Sequence, residues 1–77
     1  MNFGRWLTMM MQENQIRQID LVRASGLHVN QIHGWKKGKK TPSSSGLMIL
    51  ATAISPLTNQ PRPQILEAMC VAILLDS

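Results

Sequence analysis

Four lysines, Lys36, Lys37, Lys39 and Lys40, fall within five residues. The other cations, Arg5, Arg17, Arg23 and Arg62, are matched in number by Glu13, Asp20, Glu67 and Asp76, so the formal net charge of +4 resides in the lysine run. A focused positive patch on an otherwise neutral body fits a polyanion, with a phosphate backbone ahead of a membrane surface. The competing reading is a solvated loop with no partner. Other chemistry finds little support. His28 and His33 are five apart, a spacing that does not present two metal ligands on one helical face, and no carboxylate joins them. Cys70 lies among apolar neighbours and reads as a small hydrophobe, not a nucleophile. Three residues separate Gly34 from Gly38, where a phosphate-binding loop needs four, and no strand precedes them. The expectation is a protein that is not an enzyme, with no catalytic residue, metal, cofactor or small-molecule substrate.

The elements that must carry the patch read as helices, since apolar residues recur at helical spacing and no strand pattern of useful length occurs. Phe3, Trp6, Leu7 and Met10 form one stripe of a first helix from Asn2, a candidate N-cap, to about Gln12, with Met9 and Met11 off the stripe and partly buried. Residues 12–15 form a connection. Ile16, Ile19, Leu21, Val22 and Ala24 mark a second helix stopped by Gly26, and Val29, Ile32 and Trp35 mark the inner face of a third, ended by Gly38. Ser43, Ser44 or Ser45 caps a fourth helix carrying Leu47, Leu50, Ala51 and Ile54, and Pro56, Pro61 and Pro63 punctuate the connection that follows. A fifth helix spans Pro63 to about Leu75.

Seventy-seven residues make one small domain with a marginal core, and a single cysteine supplies neither a disulfide nor a zinc site to reinforce it. Self-association is the remaining supplement. The run from Ala68 to Leu75 is apolar throughout: Leu66, Met69 and Ile73 suffice for an internal face, which leaves Cys70, Val71, Leu74 and Leu75 for a second surface. No targeting or membrane-spanning segment is evident, and a cytoplasmic location is expected.

The stretch from Gln18 to Lys37, QIDLVRASGLHVNQIHGWKK, resembles the helix-turn-helix of the Cro/repressor (XRE-like) class of phage and bacterial regulators, with similarity over about residues 3 to 54. Leu21, Gly26, Leu27, Ile32 and Trp35 occupy that class's buried-leucine, turn-glycine and later apolar positions, and Gly38 to Pro42 resembles its G-K-x-x-P exit. The resemblance implies an all-α, lambda-repressor-like bundle of about five short helices, with residues 1–55 as the DNA-binding unit; the apolar run assigns residues 56–77 as a C-terminal helix that dimerises within the same domain. It departs from the class at His28, which predicts a weakened cap on the third helix, and at Met11 and Lys36, where a frequent salt bridge is missing and Lys36 is left free for phosphate. Val22 is larger than the usual residue at its helix contact.

Carried over residue by residue, the resemblance implies base reading by Val29, Asn30, Gln31 and His33, with Gly34 allowing close approach. Arg17 and Gln18, with Lys36, Lys37, Lys39 and Lys40, are implied phosphate contacts. Met69, Cys70, Val71, Leu74 and Leu75 are the expected dimer interface. The function implied is a Cro-like repressor, a phage or plasmid regulator that binds a two-fold site in double-stranded DNA as a homodimer and carries no ligand or protease domain. An antitoxin or antirepressor, using the same scaffold and the apolar last helix to bind another protein, is the alternative.

Overall fold

The computed structural model describes residues 2–75. Met1, Asp76 and Ser77 lie outside the described residues, and with them the outer ends of the two expected segments and the Asp76 charge counted above. Among the described residues there are five helices and no strand: α1 (Phe3–Glu13), α2 (Gln18–Ser25), α3 (Val29–Lys36), α4 (Ser44–Thr58) and α5 (Arg62–Leu75).

Asn2 caps α1 as expected, its Oδ1 accepting the Arg5 amide at 2.7 Å. The buried stripe is Phe3, Leu7 and Met11, so Met11 goes inward where partial burial was expected, and Trp6 and Met10 flank the stripe. The helix also extends through Glu13, and Asn14 closes it by donating from Nδ2 to the Met10 carbonyl at 2.8 Å. In α2 the expected apolar set is thinned: Leu21 is fully buried, while Ile19 is 44% exposed. Gly26 ends α2 in the left-handed conformation (φ +73), which glycine adopts without a Cβ clash. The Ser25 hydroxyl donates to the Leu21 carbonyl (2.6 Å) and accepts the Leu27 amide (3.1 Å), fastening the turn from both sides.

Ser43 caps α4, its Oγ accepting the Gly46 amide. Pro56, expected in the following connection, lies inside α4. A proline removes one helical N–H, here the partner of the Thr52 carbonyl, and Thr52 is exposed, so water can take that carbonyl. Asn59 (φ +58) ends the helix instead. In α5 the buried residues are Ile65, Met69 and Ala72; Leu66 and Ile73, expected at the centre of the inner face, sit half-buried at its edges.

Each helix contributes to one core through Leu7, Leu21, Ile32, Leu50 and Ile65, none of them measurably exposed beyond 2%. No polar or charged residue is buried among the described residues. α5 packs on α4 and α1, and α1 packs on α3. The α1–α3 crossing is close: a Cβ on Gly4 would lie 2.5 Å from the Trp35 carbonyl oxygen and 2.7 Å from that of Lys36. Any side chain at Gly4 would therefore push α1 off the end of α3.

Candidate nucleic-acid interface

Ile32 and Trp35 anchor α3, at 0% and 6% exposure. With those two inward, Val29, Asn30, Gln31 and His33 are exposed and Gly34 is half-exposed. Val29, expected on the inner face with a possible base contact, is 45% exposed and belongs to the outer surface. A Cβ at Gly34 would meet nothing within 4 Å. All five expected base-reading residues thus lie on the solvent side of one short helix, joined to α2 by a three-residue turn, Gly26 to His28.

The N-terminus of α3 is better capped than the sequence suggested. His28 Nδ1 accepts the Asn30 amide at 3.1 Å, and Gln31 Oε1 accepts the His28 amide at 3.1 Å. Histidine replaces the hydroxyl of an ordinary capping box because a neutral imidazole nitrogen is an equally available acceptor. The same bond constrains Gln31: one lone pair of its carbonyl oxygen is engaged, which leaves the other lone pair and its two amide N–H groups for a base.

Lys36 also differs from the expectation that it is unengaged. Gln18 Oε1 accepts from Lys36 Nζ at 3.3 Å, and Gln18 Nε2 donates to the Val29 carbonyl at 3.4 Å. One side chain at the start of α2 therefore reaches both ends of α3. Lys36, expected to be free for phosphate, is half-buried and held across the motif. Arg17 is held too: its Nε and Nη2 donate to the two Asp20 carboxylate oxygens at 3.1 and 3.0 Å, and its backbone amide donates to the same carboxylate at 2.9 Å. The Arg17 side-chain hydrogen bonds and then its backbone amide hold the Asp20 carboxyl below its ordinary range, while Asp20 raises the Arg17 guanidinium. The pair carries no net charge toward an anion, although Arg17 remains 73% exposed. The sequence signal was the i, i+3 spacing across the start of α2, which charge counting alone ignored.

The lysine run divides at Gly38. Lys37 follows α3 with helical backbone angles (φ −79, ψ −7). Gly38 then turns left-handed (φ +76), and the Gly38 and Lys39 amides return to the Trp35 and Gly34 carbonyls at 3.1 and 3.0 Å. Lys39 and Lys40 are exposed on the loop beyond. That loop is secured at Pro42, which is buried; a Cβ on Gly46 would lie 3.2 Å from Pro42 Cβ and 3.6 Å from the Trp35 ring. Gly4 and Gly46 went unnoticed in the sequence, where a glycine inside an apolar helical stripe signals close approach.

Of the expected dimer residues, Met69 is corrected: it is fully buried in its own core and is not available to a partner. Cys70, Val71, Leu74 and Leu75 are exposed. Among the described residues no group of three or more His, Cys, Asp or Glu could hold a metal ion, and no helix is long and apolar enough to cross a membrane.

A short capped helix presented outward by a glycine turn, with cations clustered at its end, is the arrangement of a DNA-binding helix-turn-helix. The chain belongs to the Cro/C1-type HTH DNA-binding domain family, whose model matches residues 6–55. The match runs from within α1 to within α4 and leaves α5 outside it. No curated protein and no solved structure matches the chain.

Proposed function

We propose that the protein is a sequence-specific transcriptional regulator, a Cro-like repressor that binds a two-fold operator as a homodimer. The observation that carries this reading is the face of α3: polar side chains directed away from the core on a helix whose start, end and neighbouring helix are each fixed by specific contacts. A B-DNA major groove, about 12 Å wide, admits such a helix and offers a distinct pattern of donors and acceptors for each base pair. Asn30, His33, Val29 and Gln31 would meet base edges. Lys39, Lys40 and the N-terminus of α2 would meet phosphates; among the described residues, the Gln18 and Ile19 amides there have no backbone acceptor.

Dimerisation through α5 completes the proposal. Leu74 and Leu75 are 71% and 66% exposed, and Val71 and Leu75 border a groove shared with Trp6 of α1. Pairing across these residues would remove the apolar surface from water and set two recognition helices about 34–36 Å apart, one turn of DNA. Occupying an operator would then exclude polymerase sterically.

Sedimentation of the pure protein with and without DNA at low salt, followed by a salt titration of binding, tests the reading. The expected result is a dimer whose DNA affinity falls steeply with salt, by a log–log slope of about −0.9 for each phosphate neutralised. Association with DNA that ignores salt, or no association at all, would sink the DNA-binding role and leave capture of another protein through α5.

A further inference from the structure

We infer that Lys37 reads a base edge, whereas Lys39 and Lys40 contact phosphate. This inference rests on the proposed insertion of α3 into a major groove, and it separates lysines that adjacency in sequence groups together.

Position around the helix makes the first argument. Asn30 and Lys37 are seven residues apart, two helical turns to within about 20°. Both point opposite the side occupied by Ile32 and Trp35, the two buried anchors of α3. Lys37 keeps helical backbone angles, so the register of α3 continues through it. Side chains at the middle of an inserted face meet the floor of the groove, and those at its margins meet the phosphate walls. Lys36 is at the margin and bonded to Gln18, and Lys39 and Lys40 follow the left-handed turn at Gly38, off the helix.

Reach makes the second argument. The N-terminal residues of a recognition helix approach base edges most closely, so the far end stands higher in the groove. Only a long side chain bridges that height, and lysine supplies one. Gly34, between Asn30 and Lys37 on the same face, carries no side chain to obstruct it, and its surroundings are open. At about 1.5 Å rise per residue, Lys37 lies about 10.5 Å along the axis from Asn30, roughly three base-pair steps. An ammonium has donors only, and the paired N7 and O6 acceptors of guanine are the base edge that suits it best.

Selected-site sequencing with the wild type, Lys37→Gln and Lys39→Gln tests the inference, with salt slopes measured for each. Lys37 is exposed, so its replacement leaves the fold intact. The expected result is that Lys37→Gln loses a guanine preference at one symmetric pair of positions, by about 5- to 150-fold in discrimination, about three base pairs from the position set by Asn30. Lys39→Gln should keep every preference and lower the slope by about 1. Should Lys37→Gln keep every preference and behave like Lys39→Gln, Lys37 is a phosphate contact and the inference is overturned while operator recognition stands. If the wild type itself selects no sequence, the groove-reading role of α3 fails, and this inference with it.

Discussion

The outer faces of α3 and α5 differ in kind. α3 has eight residues, two of them buried, and is held by caps at both ends and by the Gln18 side chain from α2. α5 has fourteen residues, three of them buried, and turns Val71, Leu74 and Leu75 to solvent. One face is polar and fixed in place by hydrogen bonds, as needed to meet a hydrated, charged partner in a single register. The other is apolar, which suits a partner that excludes water and needs little directional bonding. On the proposed reading, recognition and assembly fall to separate helices of a small chain, and substitutions on the two faces should give different readouts.

The sharpest way to break that contrast is to charge the apolar face. Leu74→Glu should give a folded monomer by sedimentation, with operator affinity lower by about a thousandfold or more as binding falls toward the non-specific level. A variant that stays dimeric moves the interface away from α5. Next in size is the frame beneath α3. Gly4→Ala sets a methyl group against the Trp35 and Lys36 carbonyls, and should cost about 1–3 kcal/mol, a fall in melting temperature of roughly 5–20 °C. An unchanged melting curve would mean that α1 can shift freely over α3.

Asn30→Ala should weaken the preferred operator by about 1–3 kcal/mol and relax one symmetric pair of positions, with the dimer intact; unaltered selected-site preferences would remove Asn30 from base reading. The smallest effect concerns Asp20. Its carboxyl lies below the ordinary range in the fold, so the ionised form is the one the fold favours. That contribution is fully present above the unfolded value of about 3.9 and is lost as pH falls through the depressed native value. Asp20→Asn should therefore melt slightly below the wild type at pH 7, with the difference vanishing in acid. It should also release Arg17 and raise affinity for all DNA sequences alike. A pH-independent gap would assign the loss to packing.

Much of this was legible in the sequence because it depends on local chemistry. Gly26 and Gly38 stop helices by their own conformational freedom, Asn2 and Ser43 cap by their own side chains, and Ile32 with Trp35 identifies the buried face of α3 by spacing alone. What escaped depends on which way a helix is rolled. Met11 is inward and Trp6 at the flank because α1 must bring Gly4 against α3, and no periodicity encodes that crossing. In α5, apolar on every side, periodicity does not choose among faces, so Met69 counts both for the inner face and for the interface, and it fills the core. Pro56 read as a break because its tolerance depends on the Thr52 carbonyl lying on an exposed turn. On α2 and α3, spacing showed which residues face outward but not their bonds: Lys36 donates to Gln18, Arg17 pairs with Asp20, and Gln31 accepts in the cap.

On the proposed reading of α3, the cap that joins His28 and Gln31 also bears on how readily the protein could acquire a new operator. Asn30 and His33 contribute no side-chain bond to the fold among the described residues, and Gly34 has open space around it. Mutation can exchange those letters at almost no structural cost, and a side chain at Gly34 would add one while strengthening the helix by up to about 1 kcal/mol. Gln31 is different, because altering it would change any base contact and also loosen the start of α3. Divergence of DNA preference should therefore run through positions 30, 33 and 34, with position 31 the slowest to drift.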